Sequence, residues 1–167
     1  QALEGLAEAH RQGLVHRDIK PSNLFVVDEG TSTESVKLID FGIALDLTGQ
    51  VRRLDAEGEL VGTPSYLSPE QVSGQPADAR SDLYAMAIVL YKCLAGALPF
   101  QGPSDVARAL ARIQGEPVPL AEVVRQPLPP GLAEVVHRTL ARDPDQRPAS
   151  ARSLARELRA VLSAAAN

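Results

Sequence analysis

The chain has 167 residues, with 44% hydrophobic and 23% charged, enough to bury one core and ordinary for a globular domain. Its net charge of -4, with no basic cluster beyond pairs such as Arg52-Arg53, argues against a nucleic-acid partner. The longest apolar stretch, Leu83 to Tyr91, is nine residues long and too short to span a bilayer.

In chain order, residues 1–12 carry Leu3, Leu6, Ala7, His10 and Leu14 on or near one face, which predicts an amphipathic helix ended by a left-handed cap at Gly13. Gln1 is not an initiator Met and no signal peptide is visible, so the chain reads as part of something longer. Leu24-Phe25-Val26-Val27 and Val36-Lys37-Leu38-Ile39 are β-rich runs on either side of the turn-forming Asp28-Glu29-Gly30-Thr31-Ser32, which predicts a hairpin-like ribbon. From Ile43 to Pro69 no period is sustained, and the segment reads as a long surface loop. Four helices follow by pattern, at 81–95 (nearly all apolar), 103–114, 131–141 and 148–164, with Pro-rich joins between them. The single cysteine, Cys93, falls in an apolar run. It excludes an internal disulfide, suits a reducing compartment, and is expected to be buried.

Two strings flank the ribbon. His16-Arg17-Asp18-Ile19-Lys20-Pro21-Ser22-Asn23 lies on a loop before the first strand, and Asp40-Phe41-Gly42 follows the second. Together they supply a carboxylate able to accept a hydroxyl proton (Asp18) and a compact cation for a phosphoryl group (Lys20). They also supply two oxygen ligands for a hard divalent ion such as Mg²⁺, Asn23 and Asp40. This is the inventory that phosphoryl transfer requires. Each piece alone is weak, since a lone Asp in a loop is ordinarily a solvated cap and Asp-Phe-Gly is a common strand-ending turn. Their order in one chain gives them weight.

With these strings, Gly62-Thr63-Pro64-Ser65-Tyr66-Leu67-Ser68-Pro69-Glu70, Ser81-Asp82-Leu83-Tyr84, Leu94-Ala95-Gly96 with Pro99-Phe100, and Asp143-Pro144-Asp145-Gln146-Arg147-Pro148 stand in one series. In that order the chain resembles the C-terminal lobe of a eukaryotic-like, bacterial-type Ser/Thr protein kinase almost from end to end. The resemblance implies a mainly α fold with a small β-ribbon, the kinase fold without its N-lobe. It places a catalytic loop at 16–23, a metal-binding loop at 40–42, an activation segment at 40–70 and a helical subdomain at 81–164, with 165–167 opening a linker or tail.

It further implies ATP and Mg²⁺ as cofactors and a protein with a Ser or Thr acceptor as substrate. Asp18, Lys20 and Thr63 would be catalytic, Thr63 bridging the other two. Lys20, Asn23, Phe25 and Asp40 would hold the nucleotide, with Phe25 under the adenine ring and Asn23 and Asp40 on the metal. Glu70 would pair with Arg147, Asp82 would accept main-chain N–H groups of the catalytic loop, and His16 and Phe41 would stack behind the site beside Gly42. The small-for-small departures Ser68 and Ala87 should leave the fold intact.

Relatives often carry phosphorylatable threonines where this chain has Asp55 and Glu57, and a basic residue where it has Leu45. Two readings stay open: fixed carboxylates replace switchable phosphates and order the segment toward Arg17, or Asp55, Glu57 and Glu59 merely solvate a loop.

No glycine-rich loop or ATP lysine precedes residue 1, so an N-lobe of the same polypeptide is the implied partner. The chain alone should be inactive and poorly soluble, cytoplasmic, with a membrane anchor beyond Asn167 left open. The competing functions are a pseudokinase or scaffold module, and a small-molecule phosphotransferase.

Overall fold

In the computed structural model, residues 1–41 and 64–165 are described. The first helix, α1 (Ala2–Arg11), turns its buried Leu3, Leu6 and Ala9 inward and closes through Gly13 at φ +77°. Two strands, β1 (Leu24–Val27) and β2 (Ser35–Leu38), pair antiparallel in the register Leu24 with Leu38 through Val27 with Ser35. The Gln1 side chain steadies the far end of the ribbon, accepting from Val36 N and donating to Glu34 O.

After a short 3-10 turn at Pro64–Tyr66, a four-residue helix, α2 (Pro69–Val72), leads to α3 (Ala79–Ala95). The bounds of α3 follow from its sequence. Asp78 is the N-cap in a reciprocal box with Ser81, and Gly96 closes the helix at φ +71°. Its residues Ser81 to Val89 and Tyr91 are buried, because every face of the helix meets another element. Around it lie α4 (Asp105–Gln114), α5 (Leu120–Val123), α6 (Leu132–Thr139) and α7 (Ala151–Ala165). Helix α7 returns to pack on α1, where Arg159 and Glu4 form an ion pair. The core joins α1, α3, α6 and α7 through Leu6, Leu83, Ile88, Val136 and Leu154.

Three expectations are corrected. Cys93 is exposed, not buried: in the last turn of α3 Leu94 and Ala95 still pack on the core, while Lys92 and Cys93 fall on the solvent side. The end of the 43–69 segment is not a surface loop, since Pro64, Tyr66, Ser68 and Pro69 are buried and partly helical. The helix expected at 148–164 begins at Ala151, and that expected at 131–141 ends at Thr139. Ser68 does more than replace a small residue. Its side chain caps α2, accepting from Gln71 N while the Gln71 side chain accepts from Ser68 N.

Candidate active site

The 16–23 loop is held from beneath by Asp82, in the first turn of α3 and 1% exposed. Its two oxygens accept the N–H groups of His16 and Arg17, each at 2.8 Å. A third donor is His10 of α1, whose Nε2 lies 2.8 Å from Asp82 Oδ2. This grip holds Arg17 at φ +63°, a left-handed conformation that costs an L-residue roughly 1 to 3 kcal/mol and persists only where surrounding bonds enforce it.

The next link runs through His16, which is fully buried. Its Nε2 lies 3.0 Å from Ile39 O, and its Nδ1 accepts from Asp18 N at 3.3 Å. A carbonyl can only accept, so the ring proton sits on Nε2. On its other side the Ile39 peptide donates its N–H to Asn23 O at 3.0 Å. Ile39 is thereby tied to both ends of the 16–23 loop, and Asp40, the next residue, leaves it at φ +54° with an exposed side chain. Phe41 packs on His16 with ring centroids 4.6 Å apart.

On that frame three predicted residues meet. Lys20 Nζ donates to Asp18 Oδ2 at 2.7 Å, and Asn23 Nδ2 donates to Asp18 O at 2.8 Å and to Oδ2 at 3.3 Å. Engaging the amide nitrogen leaves Asn23 Oδ1 as its available lone-pair donor. This oxygen and the exposed carboxylate of Asp40 are the two hard-oxygen groups that could serve Mg²⁺, an ion that keeps most of its shell for water and phosphate oxygens. Phe25 stands 55% exposed on β1 opposite Lys37, free to contact a flat ring. Gly42, Asp55, Glu57 and Thr63, as well as Leu45 and Glu59, lie outside the described residues.

A second cluster lies under α2. Arg147 and Glu70 form a bidentate pair, Nη1 to Oε1 at 2.7 Å and Nη2 to Oε2 at 2.8 Å, both side chains buried. Burial by itself would push the Glu70 carboxyl up, but hydrogen bonds from Arg147 and Ser81 outweigh it and hold the group below its ordinary range. The remaining Arg147 donors reach Ala141 O, Arg80 O and Arg142 O, so all five N–H groups are used, and the guanidinium lies 4.8 Å from the Tyr84 ring centroid. Gln71 carries this order back to the loop, its Nε2 donating to Arg17 O at 3.1 Å.

Sequence reasoning missed His10, Gln71 and Arg112. His10 left a signal, a titratable side chain on an otherwise apolar helix stripe; Gln71 left one too, three residues after a Ser that can cap.

Comparisons with known proteins point to one family. The protein kinase domain family matches residues 1–158. The serine/threonine-protein kinase pkn3 of Myxococcus xanthus is 40% identical over 166 residues, covering 96% of this chain and 30% of its own length. The serine/threonine-protein kinase PknL of Mycobacterium tuberculosis is 41% identical over 159 residues, covering 95% of this chain and 38% of its own. The crystal structure of the PknI kinase domain of Mycobacterium tuberculosis superposes with a TM-score of 0.65 at 28% identity, covering 94% of this chain and 50% of that one. The chain thus spans well under half the length of these curated relatives and half of the solved domain. A buried frame of His16 and Asp82 beneath Asp18, Lys20 and Asn23, with a family match over nearly every residue, places the chain in the protein kinase domain family.

Proposed function

We propose that this chain carries the catalytic-loop half of a Ser/Thr protein kinase, which moves the γ-phosphoryl group of ATP to a hydroxyl of a protein substrate. The observation that carries the reading is the contact set of Asp18, Lys20 and Asn23, tied through Ile39 to Asp40. Asp18 orients the acceptor hydroxyl and takes its proton as the bond to phosphorus forms. Lys20, already at Asp18, offers its ammonium to the transferring oxygens, where negative charge is in transit. Asn23 Oδ1 and the Asp40 carboxylate hold Mg²⁺, which when bound neutralises phosphate charge. Phe25 supplies an apolar floor for adenine.

The half of the domain that covers ATP comes from polypeptide outside this sequence, in keeping with the 50% coverage of the PknI domain. Among the described residues no helix is long and apolar enough to cross a membrane.

The test is transfer of labelled γ-phosphate from ATP to a Ser/Thr peptide by the complete gene product. Asp18→Asn should lower turnover at least about a hundredfold with the fold unchanged, the scale of a lost general base. A wild-type protein that transfers nothing, or an Asp18→Asn protein that keeps full activity, contradicts the reading.

A further inference from the structure

Helix α4 buries a charge where an amphipathic helix ordinarily buries an apolar group. Arg112 is 2% exposed, yet its fork points at two successive main-chain carbonyls: Nη1 donates to Pro64 O and Nη2 to Ser65 O, each at 2.8 Å. The nearby carboxylate of Asp105 is taken by Arg108. Burial pushes the Arg112 guanidinium below its ordinary value and Arg108 adds to this, against the opposing influence of Tyr84 and Asp105. Its Nε is buried without a partner, as is the hydroxyl of Tyr84.

Packing alone does not account for this choice, because an apolar side chain of similar volume is generally as stabilising as a buried ion, or more so. What a planar fork adds is orientation. Two parallel N–H donors fix the peptide planes of Pro64 and Ser65, which a single ammonium cannot do. The same short stretch is held at two other points. Lys92 Nζ donates to Tyr66 Oη at 3.2 Å, and Gln71 Nε2 donates to Arg17 O beside Asp18. Pro64 directly follows Thr63 in the chain. The catalytic loop is therefore touched by separate elements: Asn23 and Ile39 toward the metal-ligand pair, and the Pro64–Gln71 stretch through Arg17.

We propose that Arg112 is a positioning residue for the acceptor: by clasping the Pro64 and Ser65 carbonyls it sets the stretch that presents the substrate hydroxyl to Asp18, and leaves nucleotide binding to the other side. The inference rests on the phosphoryl-transfer reading above. Arg112 touches neither substrate nor reacting atoms and acts only through the backbone it holds.

The experiment uses the complete gene product and a Ser peptide, with steady-state rates measured against peptide at saturating ATP and against ATP at fixed peptide. Arg112→Gln should raise the KM for peptide about tenfold, the effect of losing hydrogen bonds from a charged donor, while the KM for ATP moves less than about twofold. Arg112→Lys should recover part of the loss, and for Arg112→Gly added methylguanidinium should lower the peptide KM without affecting wild type. A role confined to stability would shrink the active fraction, lowering apparent kcat with the peptide KM unchanged; that result overturns the proposal, as does a parallel rise in both KM values. Should Arg112→Gln fail to fold, Arg112→Lys decides, since an unchanged peptide KM there is equally contrary. A wild-type protein without transferase activity refutes the phosphoryl-transfer reading itself and this inference with it.

Discussion

Replacing Arg147 with Met removes the most fully satisfied polar group of the described structure while nearly keeping its volume. Arg147 gives two N–H groups to Glu70 and one each to the carbonyls of Ala141, Arg80 and Arg142. The substitution leaves a buried carboxylate without its cation, held by the Ser81 hydroxyl 2.7 Å away and by main-chain N–H, and strips three carbonyls of their donor. Breaking a buried pair from one side costs about 3 to 5 kcal/mol, against a total domain stability of about 5 to 15. Glu70→Gln should cost less, about 1 to 3 kcal/mol, because Arg147 keeps its three carbonyl acceptors and the new amide still offers one oxygen. Arg147→Lys should recover less than half of the Met loss, since an ammonium cannot span all those acceptors. The assay is urea unfolding of the complete gene product followed by far-ultraviolet circular dichroism, with m compared between variants. An Arg147→Met midpoint equal to wild type, or a larger loss for Glu70→Gln than for Arg147→Met, would refute the reasoning.

Glu70 also predicts a pH dependence: its folded pKa lies below the ordinary 4.5, so its stabilisation is complete above that value and is lost as pH falls through the folded pKa. Unfolding free energy measured between about pH 3 and pH 6 should fall more steeply on acidification in wild type than in Glu70→Gln, and equal slopes would remove Glu70 as the cause. Asp82→Asn turns an amide nitrogen toward one of the donors His10, His16 or Arg17, and should cost about 2 kcal/mol and lower turnover on the order of a hundredfold through misplacement of Asp18. Unfolding and kcat measured together check it, and normal kcat would break the link from α3 to the loop. Cys93 should react with a thiol reagent in the native protein at close to the rate of a free thiol, and protection until unfolding would contradict its exposure.

What could be read from the sequence was what local chemistry enforces. The apolar run of 81–95 marks α3 up to its end at Ala95, although its start at Ala79, capped by Asp78, lies two residues earlier than expected, and the β-rich runs around Asp28 to Ser32 fold back on themselves. The proximity of Asp18, Lys20 and Asn23 was legible because five residues separate the ends of that set. Helix α2 and the Pro64–Tyr66 turn were not, because they are short and held by Arg112, Lys92 and Gln71. His10 and Arg112 resemble ordinary helix residues until partners 72 and 48 positions away are known. Cys93 misled because an apolar run need not be buried on every face: Leu94 and Ala95 beside it pack on the core while Cys93 faces solvent.

The central claim is that Asp18, Asn23 and Asp40 serve one pocket. Its most direct test is a crystal structure of the complete gene product with Mn²⁺ and a non-hydrolysable ATP analogue, reading the metal position from anomalous scattering. The account predicts a Mn²⁺ peak bonded to both Asn23 Oδ1 and the Asp40 carboxylate, with the Asp18 carboxylate facing the same terminal phosphate. Metal bound away from either residue, or Asp18 directed into a separate region, would contradict it.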